Sequence, residues 1–97
     1  MVHVRILAAT VMLTVSSMAS AADAPPGASS CSGCHPATVG VATPVPRLNG
    51  RDAGQITTAM TEFRTGKRPA TVMDRIAKGF TDDETKAIAA YFAAQKD

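Results

Sequence analysis

Residues 31–35 read Cys31-Ser32-Gly33-Cys34-His35, two thiols three positions apart followed at once by an imidazole. On one helical turn, thiols at that spacing reach the two vinyl groups on one edge of a porphyrin. The adjacent histidine then projects beneath the ring with a nitrogen for the iron. C-x-x-C-H is accordingly the attachment pattern for a c-type haem. Ser32 and Gly33 are small, which lets the backbone pass close to the ring edge. Other chemistries use the same residue types. A thioredoxin-like redox pair needs a βαβ setting, and a structural zinc needs four nitrogen or sulfur ligands. A plain disulfide explains Cys31 and Cys34 but leaves His35 without a role. Haem attachment is the favoured reading, with the disulfide next.

Upstream of this run, residues 1–22 read as a secretory leader. Arg5 is the only formal charge before Asp23, an apolar run extends from Ile6 to about Ala19, and Ala19-Ser20-Ala21 supplies small residues for cleavage. Roughly 14 apolar residues are too few for the ~20 of a spanning helix. The expected mature domain is residues 23–97, a chain of about 75 residues in the periplasm with no membrane span. Cleavage removes His3, Met1, Met12 and Met18, so the domain keeps His35 as its one histidine and Met60 and Met73 as its methionines. Nine basic against eight acidic residues make it nearly neutral. With only Phe63, Phe80, Tyr91 and Phe92 as aromatics, it lacks the basic footprint and stacking rings of a nucleic-acid binder. A domain this short buries too little surface to be stable unaided, and a covalently held porphyrin would supply the missing apolar core.

Downstream, Ser29 to His35 is expected as a short helical turn closed by Pro36. Ala37 to Gly50 holds Pro44 and Pro46 and shows no apolar period, so it reads as an ordered loop. Asp52 is a good N-cap with Gln55 three residues on. Ile56, Ala59, Met60 and Phe63 then lay one apolar stripe along a helix that Gly66 ends. Thr71 to Lys78 reads as a short helix stopped by Gly79. Thr81 caps a last helix with Asp82, Asp83 and Glu84 in its first turn. Its buried stripe is expected to be Ile88, Tyr91 and Phe92, with Ala87, Ala90 and Ala94 allowing close approach of another element. No strand candidate emerges, and the fold class is all-α.

An iron bound by His35 keeps a sixth position. Met60 lies on the Ile56–Phe63 stripe and reads as a core residue filling an irregular gap. Met73 follows a proline-containing link, where the chain can bring its sulfur to the far face of the ring, and is the favoured ligand. An open sixth site, suited to gas binding or sensing, is the remaining option. A soft thioether favours Fe(II), so His35/Met73 ligation would raise the potential, as in an electron carrier. Arg64, Lys67, Arg68, Arg75 and Lys78 flank Met73 as either a solvated surface or a docking patch.

With Cys31, Cys34, His35 and Met73 in place, the chain resembles the small single-haem class I cytochromes c. The closest likeness is to the cytochrome subunit of flavocytochrome c sulfide dehydrogenase. The strongest stretch is Thr71-Val72-Met73-Asp74-Arg75-Ile76-Ala77-Lys78-Gly79-Phe80, followed by Ala89-Ala90-Tyr91-Phe92; Gly54 to Gly66 resembles the helix before it. In that family a Met-x-Arg-Ile-Ala-Lys-Gly run carries the distal methionine, which falls on Met73. Pro46-Arg47-Leu48 is similar to the turn whose proline carbonyl accepts the proximal imidazole N–H, here Pro46 to His35. The resemblance implies one covalent haem c, FAD only in a partner subunit, an FAD-containing sulfide dehydrogenase as that partner, and a further electron acceptor downstream. A freestanding carrier or the haem subunit of another dehydrogenase is the alternative. The chain departs from the class I pattern at its N-terminal helix, which Asp23-Ala24-Pro25-Pro26-Gly27 shortens to a stub.

Overall fold

A computed structural model of the chain describes residues 23–96; the expected leader, residues 1–22, lies outside the described residues. Four helices follow in order: α1 Ala28–Ser32, α2 Ala53–Arg64, α3 Met73–Ala77 and α4 Asp82–Ala94. Among the described residues there is no strand, and the architecture is the all-α one of a small cytochrome c fold.

The two long helices begin where capping chemistry places them. Asp52 Oδ1 accepts the Gln55 N–H at 2.9 Å, satisfying a donor that the first turn of α2 would otherwise leave bare. Thr81 Oγ1 does the same for the Glu84 N–H at 3.2 Å and also donates to the Glu84 carboxylate. Gly66 ends α2 as expected. Its φ of +78° permits the left-handed turn. The N–H of Lys67 then reaches the Glu62 carbonyl at 2.9 Å and that of Gly66 reaches Phe63. Arg64 ties the end of α2 to the start of α4 through Asp82 at 2.5 Å, an exposed pair of small net worth.

α2 packs against both α3 and α4. The core cluster joins one element to the next: Ala28 of α1, Ile56 of α2, and Ile88, Ala89 and Phe92 of α4. Cys31, Leu48, Met60, Phe80 and Tyr91 lean against it, half-buried. The stripe on α4 is therefore turned slightly from the expected one. Ala89, fully buried, is the alanine of close approach, whereas Ala87, Ala90 and Ala94 face out. The reason lies in Thr85, Ile88, Ala89 and Phe92 falling at helical spacing, the last three joining Ile56 of α2 and Ala28 of α1 in one cluster.

α1 is the stub that the Pro25-Pro26-Gly27 sequence implies, five residues long with one buried side chain, Ala28. It starts one residue earlier than expected and gives way to turns before Cys34. What lets so short an element reach the core is Gly27, at φ +90°. A Cβ there would stand 2.5 Å from the Phe80 ring and 3.4 Å from Ile88.

Gly27→Ala combines backbone strain with a collision inside a packed corner, and a loss of about 1–3 kcal/mol is expected. Gly66→Ala keeps only the strain, because nothing lies within 4 Å of its Cβ position. Guanidinium unfolding of the haem-loaded protein should place the Gly27→Ala midpoint clearly below that of Gly66→Ala; the reverse order would show that Phe80 yields freely.

Candidate haem site

The winding of α1 carries on for one further turn beyond Ser32. The N–H groups of Cys34 and His35 both return to the Cys31 carbonyl, at 3.1 and 2.9 Å. Both thiols and the imidazole thus issue from one tight segment. The thiols are free and differently placed. Cys31 is half-buried against the core, and its Sγ is 3.8 Å from the Gly27 carbonyl. Burial pushes its pKa up, partly offset by a backbone hydrogen bond. Cys34 is exposed.

His35 is oriented by a carbonyl. Its Nδ1 lies 2.5 Å from the oxygen of Pro46. A carbonyl only accepts, so Nδ1 carries the proton and Nε2 keeps its lone pair. That is the tautomer a metal requires, with the non-coordinating nitrogen engaged by the protein. The segment that carries Pro46 is itself fastened: Gly50 N–H donates to the Phe92 carbonyl in the last turn of α4 at 2.9 Å, and Arg51 N–H to Leu48 at 3.1 Å.

Met73 is the first residue of α3 and half-buried, whereas Met60 packs against the core cluster from α2. The fit of a porphyrin rests on the surroundings of these donors. Val39 and Val41, in the loop after His35, are 63 % and 52 % exposed; Val72 and Ile76, flanking Met73, are 49 % and 39 % exposed. Apolar side chains left to water in the two segments that carry the candidate ligands are what a flat apolar group would cover. The large buried side chains among the described residues are Ile56, Ile88 and Phe92, so the core that these residues supply is small. The donor set fits haem, and no cluster of three or more His, Cys, Asp or Glu side chains gathers among the described residues to hold a bare metal ion.

The basic residues around Met73 divide into two groups. Arg64 is engaged with Asp82, and Arg68 with Glu62 at 2.8 Å while lying over the Phe63 ring at 5.6 Å. Lys67, Arg75 and Lys78 are exposed. Two features had no sequence signal. Asp74 Oδ1, beside Met73, is buried without a hydrogen-bond partner. Arg47 sends both Nε and Nη2 to the Ala37 carbonyl, at 3.0 and 2.8 Å.

No model of a protein family matches the chain. Among curated proteins, it is 41 % identical over 63 residues to the "Cytochrome subunit of sulfide dehydrogenase" of Chlorobaculum tepidum, across 65 % of this chain and 57 % of the relative. It is 37 % identical over 99 residues to the "Thiosulfate dehydrogenase electron acceptor" of Stutzerimonas stutzeri, across 91 % of this chain and 46 % of that protein. It is also 39 % identical over 64 residues to "Cytochrome c-552" of Acidithiobacillus ferridurans, across 66 % of this chain and 28 % of that one. The chain thus spans about half the length of the first two relatives, and less of the third.

The packing of Met60 gives a direct expectation. Met60→Leu keeps volume and hydrophobicity, so it should cost under about 1.5 kcal/mol and leave the absorption spectrum of the haem-loaded protein unchanged. A spectral change would show that the Met60 sulfur, not its bulk, matters.

Proposed function

The chain belongs with the c-type cytochromes, and from that premise we propose that it is a periplasmic single-haem electron carrier, not itself a catalyst. The observation that carries the reading is the His35 Nδ1 bond to Pro46, which leaves Nε2 free beside two unpaired thiols. Cys31 and Cys34 would hold one haem c by thioethers, His35 and Met73 would be its protein ligands, and Pro46 would keep His35 in the tautomer that ligation needs. When bound, the haem supplies reversible one-electron chemistry at iron. This chain's residues do the rest. Met73 would offer the iron a soft sulfur, which excludes small ligands and favours the reduced state. Val39, Val41, Val72 and Ile76 would keep water from the bound group.

The finer reading is that the domain, residues 23–97 after removal of the leader 1–22, serves as the haem subunit of an FAD-containing sulfide dehydrogenase and passes electrons to a further acceptor. Its support is the likeness to a relative named for that role, together with the Thr71–Phe80 run. On this reading FAD would belong to the partner subunit. The exposed Lys67, Arg75 and Lys78, on α3 and beside it, give a basic docking face. A second reading, a carrier for another dehydrogenase, has its own support in the match to the electron acceptor of thiosulfate dehydrogenase, which runs over 91 % of this chain. No helix among the described residues is long and apolar enough to cross a membrane.

Size-exclusion chromatography of the native periplasmic fraction, with haem and flavin absorbance recorded together, separates the two. Co-elution of both signals well above the size of this chain supports the flavoprotein subunit. Haem eluting alone near that size supports the independent carrier.

Two substitutions test the site. Met73→Ala should leave haem attached, open the iron to carbon monoxide and lower the potential by on the order of 0.1 V, within the range that axial ligands command; an unchanged potential would remove Met73 from the ligand set. Cys34→Ala should impair haem attachment and leave little helical circular dichroism. A folded, haem-free Cys34→Ala protein would mean that the core stands without the porphyrin.

A further inference from the structure

We propose that Arg47 is a positioning residue for the proximal histidine, acting through the peptide group that His35 leans on. The proposal rests on the reading of His35 as the iron ligand. The carbonyl that accepts the His35 proton belongs to the peptide unit joining Pro46 to Arg47, and that unit is planar. Whatever fixes Arg47 therefore fixes the direction of the acceptor.

The Arg47 guanidinium is held by two N–H donors that converge on one oxygen, that of Ala37. Ala37 lies two residues beyond His35, and the residue between them is Pro36, whose ring locks its own φ and restricts the conformation of His35. The backbone between the carbonyl that holds the guanidinium and the residue that carries the imidazole is thus short and stiff. Across the neck of the loop, the His35 side chain meets Pro46 and the Arg47 side chain meets Ala37. No backbone–backbone hydrogen bond joins residues 35–37 to residues 45–47. Side-chain bonds to two carbonyls hold a neck that elsewhere would be held by a ladder. Between them, residues 37–44 are exposed and without regular structure, so the loop supplies no rigidity of its own. Arg suits this task because its fork is planar and its two donors resist rotation, whereas a single donor would pivot.

The consequence is local. Without Arg47 the Pro46–Arg47 peptide is free to tilt, and the Nδ1 proton exchanges with water while the helical core stays closed. A residue that merely stabilised the fold would instead raise exchange everywhere, because global opening exposes every proton.

The test is solvent exchange measured by nuclear magnetic resonance on the haem-loaded, reduced protein. The His35 Nδ1 proton is followed alongside the backbone amides of Ile56 and Ala89. Arg47→Ala should accelerate exchange of the Nδ1 proton by about tenfold, the factor set by loss of a hydrogen bond of ordinary net strength, while both amides keep their rates. Arg47→Lys, which retains the charge and a donor but not the planar fork, should recover only part of the protection. Should Arg47→Ala fail to load haem, Arg47→Gln, with a shorter reach and no charge, is expected to show the same selective acceleration. An unchanged Nδ1 rate, or a rise shared equally by Ile56 and Ala89, overturns the proposal. A parent protein whose His35 is not bound to iron through Nε2 would instead remove the haem reading on which the proposal stands, a failure visible before any variant is compared.

Discussion

A neutral imidazole has one proton to place, and His35 places it on Nδ1 against the carbonyl oxygen of Pro46. That choice decides what the other nitrogen can do. It also requires that residues 46–50 be held still, and the fold meets the requirement from two sides. The last turn of α4 receives the Gly50 N–H, and the turn after α1 carries the histidine. The helices matter to the site chiefly as fixed ends for this arrangement. α2 contributes Ile56 and Met60 to the core, and α3, which lies between α2 and α4 in the chain, begins with Met73.

The second constraint is scarcity of core. Among the described residues, only Ile56, Ile88 and Phe92 are large apolar side chains that are buried, and the rest of the cluster is alanine or half-buried. Apolar surface burial is the main source of folding free energy, and so few side chains supply little of it. The exposed valines and Ile76 are the counterpart of that deficit. They lie in the segments that flank His35 and Met73, as expected if the apolar partner they lack is one the chain binds and does not encode.

Much of this was legible in the residues. Asp52, Gly66 and Thr81 mark helix ends through local chemistry that needs no tertiary context, and each performs the expected task. The reading of Met60 as a core residue also follows from its place on the α2 stripe. The rotation of the α4 face was not legible, because alanines at 87, 89, 90 and 94 look alike until the partner surface selects Ala89. Nor was the role of Arg47, since a bond to the Ala37 carbonyl depends on where a loop without periodicity turns back. Gly27 belongs to the same class. Its need for a missing Cβ comes from Phe80, more than fifty residues away. Local signals identify ends and faces, whereas long-range contacts choose among equivalent residues.

The bond from Gly50 to Phe92 spans more than forty residues. In the time order of folding, contacts at such separation come late, after the entropy of closing the intervening chain has been met. The carbonyl that selects the tautomer of His35 is therefore anchored only once the C-terminal helix has docked, while Cys31 and Cys34 are brought close by a single early turn. The site is assembled in two stages: tethering is a local event, and tuning of the ligand belongs to the completed chain.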